Sequence, residues 1–190
     1  MYSQTVILAS QSPRRKQLLE QVGIPFEVKV VETAETWPES MAVPDIPVHI
    51  ARQKAVAVQQ LCVPENIIIA ADTVVVLDDD IIGKPKDRED AIRILSRLSG
   101  RTHQVITGVV IRQNGKEKAF SKTTAVHFKS LTQEQIMYYV DQYKPFDKAG
   151  AYAIQEWIGA VGIDAINGCF YNVMGLPVSM VVEALSAFGA

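Results

Sequence analysis

The chain has 190 residues, 48% of them hydrophobic and 21% charged, with a net charge of −2 at pH 7. That is a globular composition with material for one sizeable core, and the near balance of charge excludes a molecule-wide basic field for nucleic acid, so any polyanion site has to be local. No apolar stretch reaches the roughly 20 residues of a membrane helix, no secretory pattern opens the chain, and Cys62 and Cys169 stand apart without metal-ligand spacing, so a cytoplasmic protein with two buried thiols is expected.

Val6 to Ala9 is a short apolar run and predicts a buried strand. A helix follows, with Ser12 suited to the N-cap, Pro13 to the first turn and Gly23 to the stop. Arg14, Arg15 and Lys16 then fall in the first turn. They sit beside the positive end of the helix dipole, where each cation costs roughly 0.3–1 kcal/mol. Two readings stay open. A bound anion reverses the sign, because free N–H groups at a helix start hold phosphate. Alternatively, water and salt screen a basic helix start harmlessly.

Phe26, Val28 and Val30 alternate with polar residues and predict a half-buried strand. Glu32 to Pro47, rich in acids and prolines, predicts a loop. A helix is expected from about Pro47 to Leu61, with Ile50, Ala51, Ala55, Val58 and Leu61 facing the core and Lys54 off that face. Ile67 to Ala71 is wholly apolar and predicts a central strand that runs through Asp72 and Thr73 and resumes as Val74 to Leu77. Asp78 to Asp80 predicts a turn whose carboxylates face water rather than a metal. Ile81 and Ile82 return to Gly83-Lys84-Pro85.

A helix over Asp87 to Leu98 places Ala91, Ile92, Leu95 and Leu98 on one face, with Gly100 as its stop. Val105 to Ile111 and about Lys118 to Phe128 are strands of a hairpin around Asn114-Gly115. Thr132 and Gln135 predict a capping box for a helix to about Gln142. Pro145 to Gln155 is irregular and rich in small residues. Trp157 to Ala165 and Phe170 to Val173 read as strands either side of Asn167-Gly168. Gly175-Leu176-Pro177 opens a last helix with Val178, Val181, Val182, Leu185 and Phe188 inward. Strands and helices alternate irregularly, which predicts an α/β fold with a mixed twisted sheet and helices packed on it, as one domain over residues 1–190.

Asp72 carries the most information of any single residue. A carboxylate set in an apolar strand is costly unless it is paired or binds a cation, and the end of a central strand is where α/β sheets place ligand groups. It is a metal ligand or general base, or else it caps a local turn through Thr73. Lys84 is a phosphate-binding or a plain surface lysine. Lys54 and Glu35 have no local feature that singles them out. Asp147-Lys148-Ala149-Gly150-Ala151-Tyr152 is either a place where a ligand approaches the backbone or a tight packing corner. His49, His103 and His127 lack mutual ligand spacing and read as structural. The chain has neither a P-loop nor a nucleophile elbow.

Taken together, several of these stretches resemble the Maf family of nucleotide pyrophosphatases. The matching pieces are Leu8 to Arg15, Ala51 to Ala55, Ala70 to Val74, Gly83 to Pro85, Thr107 to Val109, Asp147 to Gln155 and Asn172 to Pro177, in family order over nearly the whole chain. The resemblance implies an elongated fold of two lobes around a central cleft, like that of inosine triphosphatases. It implies hydrolysis of a nucleoside triphosphate to monophosphate and pyrophosphate with a divalent cation, Mg²⁺ or Mn²⁺. Asp147 to Gln155 is similar to the branch acting on dTTP and UTP, so pyrimidine nucleotides, normal or modified, are expected. The branch acting on 7-methyl-GTP and a non-catalytic nucleotide-sensing regulator of cell division are the alternatives.

By position, the resemblance makes Asp72 the proton acceptor and a metal ligand, with Glu35 the second acid near the metal. It makes Arg15, Lys54 and Lys84 phosphate-binding positions and Ser10 a further substrate contact. Arg14, Thr73 and Gln155 match positions tied to substrate choice. The Gln155 amide offers a donor and an acceptor, which matches the N3–H and O4 edge of thymine or uracil. Gln11 stands where glycine is common in the family, and Ala34 and Thr36 flank Glu35 where an acidic pair is usual. Neither nucleic acid nor membrane is an expected partner, and a homodimer is common among proteins of this kind.

Overall fold

Residues 5–189 are described by a computed structural model. Its strands are β1 (Val6–Leu8), β2 (Phe26–Val28), β3 (Ile67–Leu77), β4 (Asp80–Ile82), β5 (Thr102–Gln113), β6 (Lys116–Phe128) and β7 (Ile163–Asn167). Its helices are α1 (Pro13–Gln21), α2 (Ile46–Gln59), α3 (Arg88–Leu98), α4 (Gln133–Tyr143), α5 (Trp157–Gly162), α6 (Phe170–Met174) and α7 (Val178–Leu185). The sheet is seven-stranded and mixed, in the order β2-β1-β3-β5-β6-β7, with β4 paired to β3. The expected α/β fold is thus the observed one. No helix among the described residues is long and apolar enough to cross a membrane.

The chain folds into two compact units. The first holds the chain up to Asp72, Thr107–Lys122 and the chain from Gly175; the second holds Thr73–Ile106 and Thr123–Met174. The strands β3, β5 and β6 each contribute residues to both.

In the first unit β1 pairs in parallel with β2 and with β3, Val6 standing opposite Phe26 and Ile67. Parallel strands are stable when both faces are covered, and every residue of β1 is buried. Ile7, Ala9, Ile68, Ala70 and Val110 pack under Ala51, Ala55 and Val58 of α2. Two alanines on that helix face let it lie close to the sheet. Gly108 removes the last obstacle: a Cβ there would stand 2.2 Å from the Val48 nitrogen and 2.4 Å from the Pro47 carbonyl carbon. This is the physical content of Thr107-Gly108-Val109. It sets the distance between Lys54 on α2 and Asp72 on β3.

In the second unit α3 packs on α4, and β7 lies antiparallel to β6 with a bulge between His127 and Phe128. The fully buried Asn172 donates from Nδ2 to the Val105 carbonyl and to Thr124 Oγ1, each at 3.0 Å. That bond pair fastens the short α6 to the backbone of β5 and to a side chain of β6.

Several local expectations are corrected. β2 ends the strand order, so Val28 and Val30 are exposed rather than half-buried. α2 stops at Gln59, which leaves Leu61 in the following turn and exposed. α3 buries Ile94 with Ala91, Leu95 and Leu98, and Ile92 stands at the edge of that stripe. Trp157 to Ala165 is not one strand: α5 precedes β7. Phe170 to Val173 is helical in α6. Both helices are too short for a 3.6-residue period to be read from composition. Val182 is exposed, and both cysteines are half-buried. The Asp78–Asp80 turn is as expected: its side chains are exposed, with Asp78 paired to Arg101 and Asp80 to Arg97 at 2.8 Å.

The approach of α2 makes a prediction. Gly108→Ala forces backbone against backbone, where no side chain can rotate away, and should cost more than about 3 kcal/mol. Denaturant unfolding of the purified variant measures this. A loss below 1 kcal/mol would show that α2 is free to shift.

Candidate active site

The start of α1 is built around Ser10, Ser12 and Arg15. The Ser12 hydroxyl accepts from the Arg15 N–H at 3.5 Å, the expected N-cap, with Pro13 in the first turn. Ser10 is buried, and its Oγ accepts from the Ser12 N–H at 3.3 Å and from Arg15 Nη1 at 3.1 Å. Arg15 Nε donates to the Gly175 carbonyl at 2.8 Å. The guanidinium is therefore aimed by a residue 160 positions away. Burial pulls its pKa below the ordinary arginine value; Asp72 opposes that shift, Arg14 adds to it and Glu35 opposes it. Arginine stays charged through such a shift. The electrostatic coupling places Arg14, Arg15, Asp72 and Glu35 in one neighbourhood.

The centre of that neighbourhood is Lys54. Its Nζ lies 2.8 Å from Asp72 Oδ1 and 2.9 Å from Glu35 Oε1. The Lys54 and Asp72 side chains are only 17% and 15% exposed, while Glu35 is 48% exposed. One ammonium thus holds two carboxylates that come from a central strand and from a loop. The Lys54–Asp72 pair, largely withdrawn from water, interacts more strongly than it would at an open surface, while the half-exposed Glu35 contact is more screened. The loop itself is pinned by the neighbouring helix residue, since Gln53 Nε2 donates to the Thr36 carbonyl at 2.8 Å. Glu35 takes a left-handed backbone, φ +47°, which for a non-glycine residue costs about 1–3 kcal/mol and persists only where surroundings hold it. Lys54 and Gln53 supply that hold. Gln53 was not singled out from the sequence, because a helix glutamine carries no local mark of the loop it will meet.

The remaining expected residues belong to the second unit. Thr73 follows Asp72 directly on β3 and is half-buried. Lys84 is exposed in the Gly83-Lys84-Pro85 turn. That turn is tied to the small-residue segment, because the Gly83 carbonyl accepts from the Gly150 N–H at 3.1 Å. Gly150 and Ala151 both have left-handed backbones, φ +72° and +57°. The segment then runs buried from Gly150 to Ile154 and emerges at the exposed Gln155. Asp147 to Gln155 is thus a packing corner that ends in one presented amide.

His103 is structural, as expected. It is 1% exposed, shares a 2.7 Å hydrogen bond between Nε2 and the Tyr152 hydroxyl, and packs edge-on against Phe128 and Tyr152. Burial pushes its pKa down to about 4, and the nearby His127 pushes the same way. Burial also pushes the Tyr152 hydroxyl up. Among the described residues no group of three or more His, Cys, Asp or Glu side chains could hold a metal ion. Asp72 and Glu35 are two acids that meet on one cation, a set completed only by oxygens from elsewhere.

A family model described as Maf-like protein matches residues 5–188. The chain is 49% identical over 181 residues to a dTTP/UTP pyrophosphatase of Phocaeicola vulgatus, spanning 95% of this chain and 94% of that protein. It is 48% identical over 187 residues to a dTTP/UTP pyrophosphatase of Porphyromonas gingivalis, spanning 97% and 94%. Among solved structures it is similar to the Ham1 protein of Staphylococcus aureus, at 14% identity over 65% of this chain and 71% of that one, with a TM-score of 0.48.

The neutral imidazole of His103 makes stability depend on pH. Its folded pKa, about 4, lies below the ordinary 6.5. The unfolded chain therefore binds the proton first as pH falls, and the contribution present above pH 6.5 is lost towards pH 4. The loss is about 3 kcal/mol. Thermal melts across this range should show the wild type losing about that much more than His103→Gln. Parallel pH profiles would mean that the imidazole is not held neutral.

Proposed function

The chain belongs to the Maf family, and we propose that it is a nucleoside triphosphate pyrophosphatase that hydrolyses dTTP and UTP, normal or base-modified, to the monophosphate and pyrophosphate. Two relatives that match nearly end to end are named for that activity. The observation that carries the reading to residues is the Lys54 ammonium held between Asp72 and Glu35 beside Arg15. A lysine, an arginine and two acids at one place suit a polyanion that arrives with its own cation. A purely phosphate-sensing module has no use for the acids. The protein so read is a cytoplasmic enzyme of small nucleotides.

In the proposed reaction water attacks the α-phosphorus in line. The new P–O bond forms as the bond to the bridging oxygen breaks, and pyrophosphate leaves with that oxygen. Such chemistry is mostly positioning and charge neutralisation. Lys54, Arg15 and Lys84 bind phosphate oxygens, with the N–H groups at the start of α1 assisting. Ser10 contributes by holding Arg15 in place. Asp72 accepts the proton of the attacking water. Its Oδ1 faces Lys54, which leaves Oδ2 for that task. Arg14, Thr73 and Gln155 select the base, and the Gln155 amide pairs with the N3–H and O4 edge.

Asp72 and Glu35 fit a divalent cation. Both offer hard carboxylate oxygens, and both already converge on a single positive charge. Mg²⁺ or Mn²⁺ bound there would neutralise phosphate charge and lower the pKa of a nearby water. A shared carboxylate pair also explains why Lys54 is the resting partner: an ammonium at that point offsets the repulsion between two acids.

Pyrophosphate release from dTTP, UTP, CTP and 7-methyl-GTP, with Mg²⁺ or with chelator, tests the reading. Turnover of dTTP and UTP that chelator abolishes is expected. Asp72→Asn keeps an oxygen for Lys54 and should lower kcat by about 10³-fold or more at nearly unchanged Tm. Wild-type turnover in that variant would remove Asp72 from the chemistry. A protein that binds dTTP but releases no pyrophosphate from any triphosphate would be a regulator instead.

A further inference from the structure

We propose that Tyr139 is the positioning residue for Gln155, one hydroxyl holding the chain on both sides of the base-selecting amide. The inference rests on the reading of Gln155 given above. Tyr139 lies on α4 and is fully buried. Its hydroxyl accepts from the Ala153 N–H at 3.1 Å and donates to Glu156 Oε2. Ala153 and Glu156 flank the Ile154-Gln155 pair in sequence. A single oxygen therefore clamps the segment immediately before and immediately after the residues it presents.

The clamp is reinforced from three directions. Glu156 Oε1 lies 3.6 Å from Lys148 Nζ, and Lys148 in turn holds Asp147 Oδ1 at 2.7 Å. A charge chain centred on the buried Lys148 thus links the end of the segment to its beginning. The Glu156 N–H donates to the Ala153 carbonyl at 3.1 Å, and the Gly159 N–H to the Glu156 carbonyl at 2.9 Å. Gly159 lets the Ile154 carbonyl come close, since a Cβ there would be 1.7 Å from that oxygen. The backbone is thus hydrogen-bonded on both sides of Gln155, while Gln155 itself is exposed.

An amide reads one base edge against another only if it is held within a few tenths of an ångström and about 10–20°. A glutamine on an exposed turn brings three rotatable bonds of its own, so the backbone below it has to be fixed for the pairing to discriminate. Tyr139 supplies that fixity without touching the nucleotide. Its ring also stacks on Tyr143 at 5.0 Å, and that contact is independent of the hydroxyl.

Steady-state kinetics of pyrophosphate release with dTTP, UTP and CTP, on Tyr139→Phe, Glu156→Ala, Glu156→Gln and Gln155→Ala, test the assignment. Tyr139→Phe keeps the ring and removes both bonds. The preference for dTTP over CTP in kcat/KM should fall about 10-fold, through a higher KM for dTTP, with kcat within about 2-fold of wild type. Glu156→Ala removes one of the two bonds and should lower the preference by about 3-fold; Glu156→Gln restores an acceptor and should recover it. The Glu156 pair decides the matter if Tyr139→Phe does not fold. A uniform loss of kcat for all three nucleotides would mean a merely structural tyrosine and overturns the proposal. So would an unchanged preference in Tyr139→Phe and Glu156→Ala while Gln155→Ala abolishes it. If Gln155→Ala itself leaves the preference intact, the reading of Gln155 falls and the proposal with it.

Discussion

Two ionised carboxylates that converge on one point repel each other unless a positive charge lies between them. In this chain that charge is the Lys54 ammonium, and much of the first unit is arranged to put it there. The helix that carries it can approach the sheet only because Ala51 and Ala55 face the strands and Gly108 has no side chain under its first turn. The loop that carries Glu35 is held in a left-handed conformation by Lys54 and Gln53 together. Asp72 would be an expense in the middle of an apolar strand if the ammonium were absent. In the proposed reaction a triphosphate offers Lys54 more negative charge than the acids do, which would leave the two acids to a cation.

The basic start of α1 follows the same logic from the opposite sign. Cations in the first turn are unfavourable beside the helix dipole, yet Arg15 is fixed by Ser10 and by the Gly175 carbonyl rather than swung out to water. Held in this way, the guanidinium loses little freedom when an anion arrives, which is where preorganised sites gain affinity. In the proposed function a bound phosphate would turn that unfavourable charge placement into a favourable one.

In the second unit the constraint is geometric rather than electrostatic. A segment of small residues can turn sharply but cannot hold itself still. Here it is held by polar groups from outside it: the buried His103 on Tyr152, the buried Tyr139 on Ala153 and Glu156, and the Gly83 carbonyl on Gly150. The bonds to the buried Tyr152, Ala153 and Gly150 satisfy groups shielded from water, so they are costly to break. The result is a rigid support that ends in one exposed amide.

Much of this was legible in the chain itself. The apolar run broken by Asp72, the Ser12 cap, the Asn114-Gly115 turn and the Thr132–Gln135 capping box are local signals, and each produced its element because the physics behind it acts over a few residues. The seven ordered stretches carried the family. What the sequence could not supply are the partnerships: Gln53 with the Glu35 loop, Arg15 with Gly175, Tyr139 with the two flanks of Gln155. The short helices α5 and α6 were missed for a related reason, since five or six residues hold too little periodicity to be read and α6 depends on the distant bonds of Asn172. Local backbone preference was set by neighbours in the chain. Which charge meets which, and which hydroxyl steadies which loop, was decided by packing, because those energies depend on distances between residues that sequence order leaves far apart.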